Sequence, residues 1–156
     1  MITEKLKNYL DESAVRYEVL RHGEAYTAQE IASTMHVSGK NLVKSVILKS
    51  DTGYLMAVLP ADRRVDVAAL RADLGFRMVA LATEEEIKKI FPDCEAGAMP
   101  PFGNLYGLPV YADSALREDK NIVFNAGTHH EAIRMTYTDF FRLVRPLIIE
   151  ATKKAA

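Results

Sequence analysis

The spacing of hydrophobic and polar residues predicts helices and strands in turn along the chain. In the first segment, Leu6, Leu10 and Ala14 recur at helical spacing among charged residues, which is typical of an amphipathic helix. Helices are predicted at residues 3–14, 27–35, 67–74, from Thr83 onward with Glu86 completing a capping box, and 137–144. Strands are predicted at residues 17–20, 43–49, 54–59, 77–81, 110–112, 122–124 and 132–135.

Two strands near the centre of this pattern are predicted to pair as an antiparallel hairpin. Residues 43–49 and 54–59 are rich in aliphatic side chains, and Asp51-Thr52-Gly53 between them is typical of a tight turn. The order of elements shows no regular strand-helix-strand repeat. We therefore expect an α+β fold, in which a mixed, mainly antiparallel curved sheet forms a pocket and is flanked by helices.

Length, charge and cysteine content narrow the class of protein. A chain of 156 residues suits one domain, expected to span residues 1–156. No apolar run approaches the ~18 residues of a membrane span, so no membrane association is expected. The single cysteine, Cys94, excludes an intramolecular disulfide and favours a cytoplasmic location. The net charge of −1 argues against a general nucleic-acid coat protein, but not against a protein that contacts only the end of a tRNA.

Lys44 is an unusual residue within the strand predicted at 43–49. Both faces of that strand carry aliphatic residues, and alternation places Lys44 on the same face as Val46 and Leu48. An ammonium group there is costly unless it reaches water, a partner or a pocket. Two interpretations stay open. Lys44 either extends to solvent at the strand end, or lies at the mouth of a pocket and faces a carbonyl or phosphate.

An irregular segment at residues 92–109 holds four of the six prolines and three of the eight glycines. Long loops in compact domains are commonly functional or disordered. Gly97 would let a substrate approach the backbone closely, and Pro100 and Pro101 restrict the loop so that backbone N–H donors can be preorganised. A surface turn is the alternative interpretation. Neither a dinucleotide-binding fingerprint nor a Walker lysine is present.

Other side chains that could carry chemistry give weaker signals. His129 and His130 are adjacent and would point to opposite faces of a strand, which argues against a shared metal ion. We expect no metal and no cofactor, since no other cluster has metal-ligand spacing. Cys94 lacks the surroundings of known cysteine hydrolases, and no G-x-S-x-G elbow occurs. The usual nucleophilic machinery is therefore missing.

Five short segments form one pattern when they are taken in their order along the chain. They are residues 43–48, 57–66, 81–86, 97–103 and 125–127. In this order they resemble the YbaK/ProX family of aminoacyl-tRNA deacylases, which includes the editing domain inserted in bacterial prolyl-tRNA synthetases. Each segment is a weak signal alone. The order of all five, within a likeness that runs from about Tyr17 to Val144, is specific.

The resemblance implies hydrolysis, in trans, of the ester between an amino acid and the terminal adenosine of a mischarged tRNA of the tRNA-Pro type or a related one. It implies catalytic roles for Lys44, the family's signature lysine, and for Gly97, which begins its G-x-x-x-P loop. Substrate-binding positions are then expected at Thr27, Ala98, Met99, Pro101 and His129. The neighbouring His130 is the alternative to His129 as the pocket histidine. The implied partners are the acceptor end of an aminoacyl-tRNA and an aminoacyl-tRNA synthetase.

The chemistry of an aminoacyl ester agrees with the absence of a recognisable catalytic triad in the sequence. The ester is already activated, so positioning it and stabilising the developing oxyanion can suffice. The resemblance also implies that the ribose 2′-hydroxyl of the substrate helps to activate water. Two alternatives are a non-catalytic module of the same fold that binds the acceptor end or a synthetase, and a thiol hydrolase that uses Cys94. The sequence of residues 94–101 differs from the corresponding loop of alanine-editing and cysteine-editing members, so the identity of the amino acid that is removed stays open.

Overall fold

The computed structural model describes residues 3–21 and 42–154. Thr27 and the helix predicted at 27–35 lie outside this part of the chain. The helices within it are α1 (Glu4–Glu12), α2 (Val67–Leu74), α3 (Glu84–Ile90) and α4 (Tyr137–Val144). The strands within it are β1 (Glu18–Arg21), β2 (Leu42–Ser50), β3 (Gly53–Pro60), β4 (Arg63–Val65), β5 (Val79–Leu81), β6 (Val110–Asp113), β7 (Asn121–Asn125), β8 (Glu131–Thr136), β9 (Leu147–Ile149) and β10 (Thr152–Lys154). None of these four helices has the length and apolar character needed to cross a bilayer.

Eight of the strands form one mixed sheet. Its order is β1-β8-β7-β2-β3-β6-β9, and β5 pairs with the far end of β2. Strands β2 and β3 form the predicted antiparallel hairpin, with register pairs from Val43 and Pro60 to Ser50 and Gly53. The pairs β2–β7, β3–β6 and β6–β9 are parallel, whereas the other pairs of this sheet are antiparallel. The predicted α+β class with a mainly antiparallel sheet is confirmed.

Three short strands were missing from the sequence prediction. Strands β4, β9 and β10 each have three residues, too few for an alternation of burial to be recognised. The chain continues past α4 and adds β9 to the edge of the sheet, where Leu147 pairs with Tyr111. Strand β10 pairs with β4 as a separate two-stranded sheet. These strands are stabilised by partners that are distant in sequence, so their own residues do not predict them.

The sheet separates two clusters of buried side chains. The larger one includes Leu6 and Leu10 of α1 and the rings of Phe102, Phe124 and Phe140. The smaller cluster, on the opposite face, is formed mainly by Leu48, Leu55, Ala57, Leu70, Ile149 and Ala151. Strand β2 contributes to both clusters and is therefore buried on both faces, as predicted.

A polar network, here called the Arg63–Asp113–Thr152 clasp, ties the end of the chain to the sheet. Asp113 is 2% exposed, and its carboxylate accepts a hydrogen bond of 2.6 Å from the Thr152 hydroxyl. The Arg63 guanidinium lies 3.3 Å from the same carboxylate oxygen and donates to Thr152 Oγ1 at 2.8 Å. The second Asp113 oxygen accepts from the Ala115 N–H at 3.1 Å. This buried carboxylate is fully hydrogen-bonded, so it stabilises the position of β10.

Candidate active site

Lys44 lies near the start of β2, directly across from Leu59 of β3. Its side chain is partly buried, and this desolvation lowers the pKa of the ammonium group below its ordinary value of 10.5. The nearby Asp62 carboxylate opposes the shift and raises the pKa in part. Lys44 is therefore a cation held at the edge of a buried strand at some energetic cost.

Asn125 is the residue beside Lys44 on the neighbouring strand. The parallel register pairs Val43 with Phe124, so one further step sets Lys44 next to Asn125. Val43 and Phe124 belong to the larger core, and alternation therefore turns Lys44 and Asn125 to the opposite face. The Oδ1 atom of Asn125 is buried and has no hydrogen-bond partner among the described residues. In the sequence, Asn125 is a polar residue at the end of an apolar strand and the first residue of segment 125–127, one of the five that carry the family resemblance.

The predicted glycine loop is built around a tight turn at residues 95–98. The Ala98 N–H donates to the Glu95 carbonyl at 3.0 Å, and Gly97, the third residue of the turn, has φ of +81°. This combination is typical of a type II turn, which requires a positive φ at its third position and therefore favours glycine there. Gly97 is exposed, whereas Ala98 is buried.

Backbone hydrogen bonds fix this turn to the end of β7. The Glu95 N–H donates to the Gly127 carbonyl at 2.8 Å, and the Gly127 N–H donates to the Ala98 carbonyl at 2.9 Å. Gly127 comes two residues after Asn125, which lies beside Lys44. The turn and Lys44 are thus brought to the same end of the sheet through β7.

His129 packs beneath the turn, and His130 does not. His129 is 7% exposed, and its Nε2 lies 2.6 Å from the Ala96 carbonyl oxygen. Its backbone N–H donates to Glu95 Oε1 at 3.2 Å. A methyl group placed on Gly97 would lie 3.6 Å from Cε1 of the imidazole ring, so the ring and the turn are in close proximity. His130 is exposed.

The other predicted substrate-binding residues of the loop are buried. Ala98 has no exposed surface, Met99 is 6% exposed and packs in the larger hydrophobic core, and Pro101 is buried as well. Within residues 95–101 the exposed part is the stretch from Glu95 to Gly97. The backbone of these three residues is therefore more accessible than the side chains of Ala98, Met99 and Pro101.

Cys94 is close to this loop, but its surroundings oppose a nucleophilic role. Burial raises the pKa of the thiol to about 11, because the thiolate is poorly solvated there. The Sγ atom lies 3.6 Å from the Tyr106 hydroxyl and 3.7 Å from Asp93, which are its hydrogen-bond partners among the described residues. At neutral pH the thiol stays protonated.

Replacing Cys94 with alanine should therefore leave hydrolytic activity within about twofold of the original protein. Among the described residues the thiol makes no hydrogen bond to a histidine, and its pKa is raised where a nucleophile needs a lowered one. Initial rates with and without iodoacetamide, and of the Cys94→Ala protein, measure this directly. Loss of activity in the alanine variant at unchanged stability would support the thiol hydrolase instead.

The fold and the site together define a small α+β domain that places a desolvated lysine and a glycine turn at one end of a mixed sheet. The profile of the aminoacyl-tRNA editing domain matches residues 22–143, which is most of the chain. The chain belongs to the family of aminoacyl-tRNA editing domains, and the predicted YbaK-like family and aminoacyl-tRNA deacylase class are confirmed.

Relatives in sequence agree with this family, and a solved structure shares the fold. The chain is 27% identical to the Multifunctional Ser/Thr-tRNA deacylase ProXp-y of Escherichia coli (strain K12), over 97% of this chain and 93% of that protein. It is 30% identical to the proline–tRNA ligase of Bacillus subtilis (strain 168), over 77% of this chain but 22% of the ligase. A crystal structure provisionally described as a trans-editing enzyme for prolyl tRNA synthetase has the same fold, with a TM-score of 0.85, 21% identity and coverage of 97% and 96%.

Proposed function

We propose that this chain hydrolyses mischarged aminoacyl-tRNA in trans, with Lys44 and the backbone of Gly97 contacting the aminoacylated end. The observation that supports this proposal most directly is that a partly desolvated ammonium group and an exposed glycine turn lie at the same end of the sheet. A cation and a backbone N–H donor are the groups that stabilise a developing oxyanion. Water attacks the ester carbonyl carbon, the bond to the ribose oxygen breaks, and that oxygen takes up a proton. The products are a free amino acid and an uncharged tRNA.

Seryl- and threonyl-tRNA are the first substrates to test. Their support is the name of the relative that matches along nearly the whole length of both chains. The similarity to part of the proline–tRNA ligases supports tRNA-Pro as the carrier and a synthetase as a partner. Editing is needed where a synthetase must distinguish two amino acids of similar size, because a hydrophobic pocket separates amino acids differing by one methylene by only ~1–3 kcal/mol.

A panel of mischarged tRNAs tests the proposal. tRNA-Pro and the cognate tRNAs are charged separately with serine, threonine, alanine or cysteine, and amino-acid release is measured against spontaneous hydrolysis. We expect release to exceed the spontaneous rate for at least one amino acid. Binding without release at stoichiometric protein would contradict the proposal and would favour the non-catalytic module of the same fold.

Replacing Gly97 with alanine should lower kcat by about 10- to 100-fold. A positive φ costs a non-glycine residue ~1–2 kcal/mol, and the turn can relieve that strain by rotating its central peptide. This rotation would turn the backbone N–H of residue 97 away from the ester. The matched control is Gly107→Ala, because Gly107 has φ of +73° and nothing within 4 Å of the added methyl group. Both variants should lose similar stability in urea denaturation. Equal kcat values for the two variants would contradict a role for the Gly97 backbone.

A further inference from the structure

We infer that His129 is a positioning residue that acts through the Ala96–Gly97 peptide and keeps the Gly97 N–H available as a donor to the bound ester. This inference rests on the proposed function of the site. It assigns His129 a role different from lining the pocket for the amino-acid side chain. Three features of the structure support this role: the hydrogen bond of His129, the geometry of the turn and the surroundings of the Gly97 amide.

The hydrogen bond of His129 has only one possible direction. A carbonyl oxygen cannot donate, so Nε2 must carry the proton in its 2.6 Å contact with the Ala96 oxygen. The ring is therefore in the Nε2–H tautomer or is an imidazolium ion, and both forms make this bond. The backbone N–H of His129 also donates to Glu95 Oε1. His129 is thus held to both ends of the Glu95–Ala96 segment.

The Ala96 carbonyl and the Gly97 N–H belong to the same peptide plane. No cis peptide bond occurs in the described residues, so in this plane the C=O and N–H point in opposite directions. Because the carbonyl is directed at His129, the N–H is directed away from His129, on an exposed residue. No group of the described residues accepts a hydrogen bond from this N–H.

Rotation of this peptide is the event that His129 opposes. A type II turn and a type I turn differ mainly by a flip of the central peptide, which would reverse the directions of the carbonyl and the N–H. The flip would break the His129 bond and turn the Gly97 N–H toward the imidazole. A buried histidine that holds the carbonyl therefore preorganises the donor before the substrate arrives.

The experiment compares three variants on the best substrate of the mischarged panel. His129→Phe fills a similar volume without a donor, His129→Gln retains an N–H donor, and His130→Gln is the exposed neighbour as control. We expect His129→Phe to lower kcat by about 10- to 100-fold with KM changed by less than about threefold, because the interaction strengthens in the transition state. His129→Gln should recover most of kcat, and His130→Gln should match the original protein.

Two results would overturn the inference while leaving the proposed function intact. One is a His129→Phe protein whose loss lies in KM or differs strongly between amino acids, as expected of a side-chain pocket. The other needs no substrate: ¹⁵N NMR of the wild-type imidazole showing a proton on Nδ1 and none on Nε2. A wild-type protein that releases no amino acid but shows the Nε2–H tautomer would refute the proposed function, and the catalytic part of this inference with it.

Discussion

Replacing Lys44 with methionine is expected to lower kcat/KM by at least about 100-fold while leaving the fold as stable as before or more so. On the proposed mechanism, the chemical reason is the loss of a cation that faces the ester or the phosphate of the acceptor end. The physical reason for the retained stability is that the ammonium is partly desolvated, whereas methionine has a similar length and no charge. Single-turnover deacylation and thermal unfolding of the same preparation test both parts.

Lys49→Met provides the matched control on the same strand. Lys49 is exposed and pairs with Glu86 at 3.2 Å, so its replacement should leave activity unchanged. A Lys44→Met protein with wild-type activity would refute the mechanism.

The lowered pKa of Lys44 also has a signature in the dependence of stability on pH. In the unfolded chain the amine binds its proton more tightly than in the folded protein. The unfolded state therefore holds more protons between the lowered pKa and the ordinary value of 10.5, and Lys44 makes the folded state more stable as pH rises through that range. The Lys44→Met protein should lack this contribution.

Replacing Gly127 with alanine is expected to destabilise the protein by about 3 kcal/mol, from overpacking and from a positive φ. The new methyl group would overlap Thr3 Cγ2, and Gly127 has φ of +99°. Thr3 cannot simply move away, because its N–H donates to the Ala126 carbonyl at 3.1 Å and its Oγ1 caps α1. Thermal unfolding should show a decrease in Tm of roughly 6–12 °C for a chain of this size.

A double-mutant cycle separates the clash from the backbone strain. Thr3→Ser removes Cγ2 but keeps the capping hydroxyl, so the Thr3→Ser, Gly127→Ala protein should recover about 1–2 kcal/mol relative to Gly127→Ala alone. Gly75→Ala supplies the strain-only reference, since Gly75 has φ of +72° and open space around the added methyl group. Additive effects of the two substitutions would show that the contact with Thr3 is not what excludes a side chain at Gly127.

Local signals in the sequence predicted much of this fold. The helices at residues 67–74 and 137–144 have the predicted bounds, and the capping box of Thr83 and Glu86 forms as expected. The hairpin of β2 and β3 is also predictable, because its turn and both strands are contiguous in sequence. In each case the determining interactions lie within a few residues of one another.

Features that depend on distant partners could not be predicted in the same way. Period-two alternation predicts that Lys44 shares a face with Val46, but its neighbour Asn125 is fixed only by the parallel pairing of β2 with β7. The contact of His129 with Ala96 joins residues 33 positions apart and depends on the orientation of one peptide. No pattern of residue types encodes that orientation, although the glycine at the third turn position is compatible with it.

The Arg63–Asp113–Thr152 clasp joins two residues, Arg63 and Thr152, that are 89 positions apart in sequence. It thereby holds Arg63, the residue next to Asp62. The carboxylate of Asp62 is the nearby charge that raises the pKa of Lys44 against desolvation. Thr152 lies beyond residues 22–143, the part that matches the editing-domain family. A substitution in the C-terminal strand that weakens this clasp is therefore expected to change the electrostatic surroundings of Lys44 without altering any residue of the proposed site.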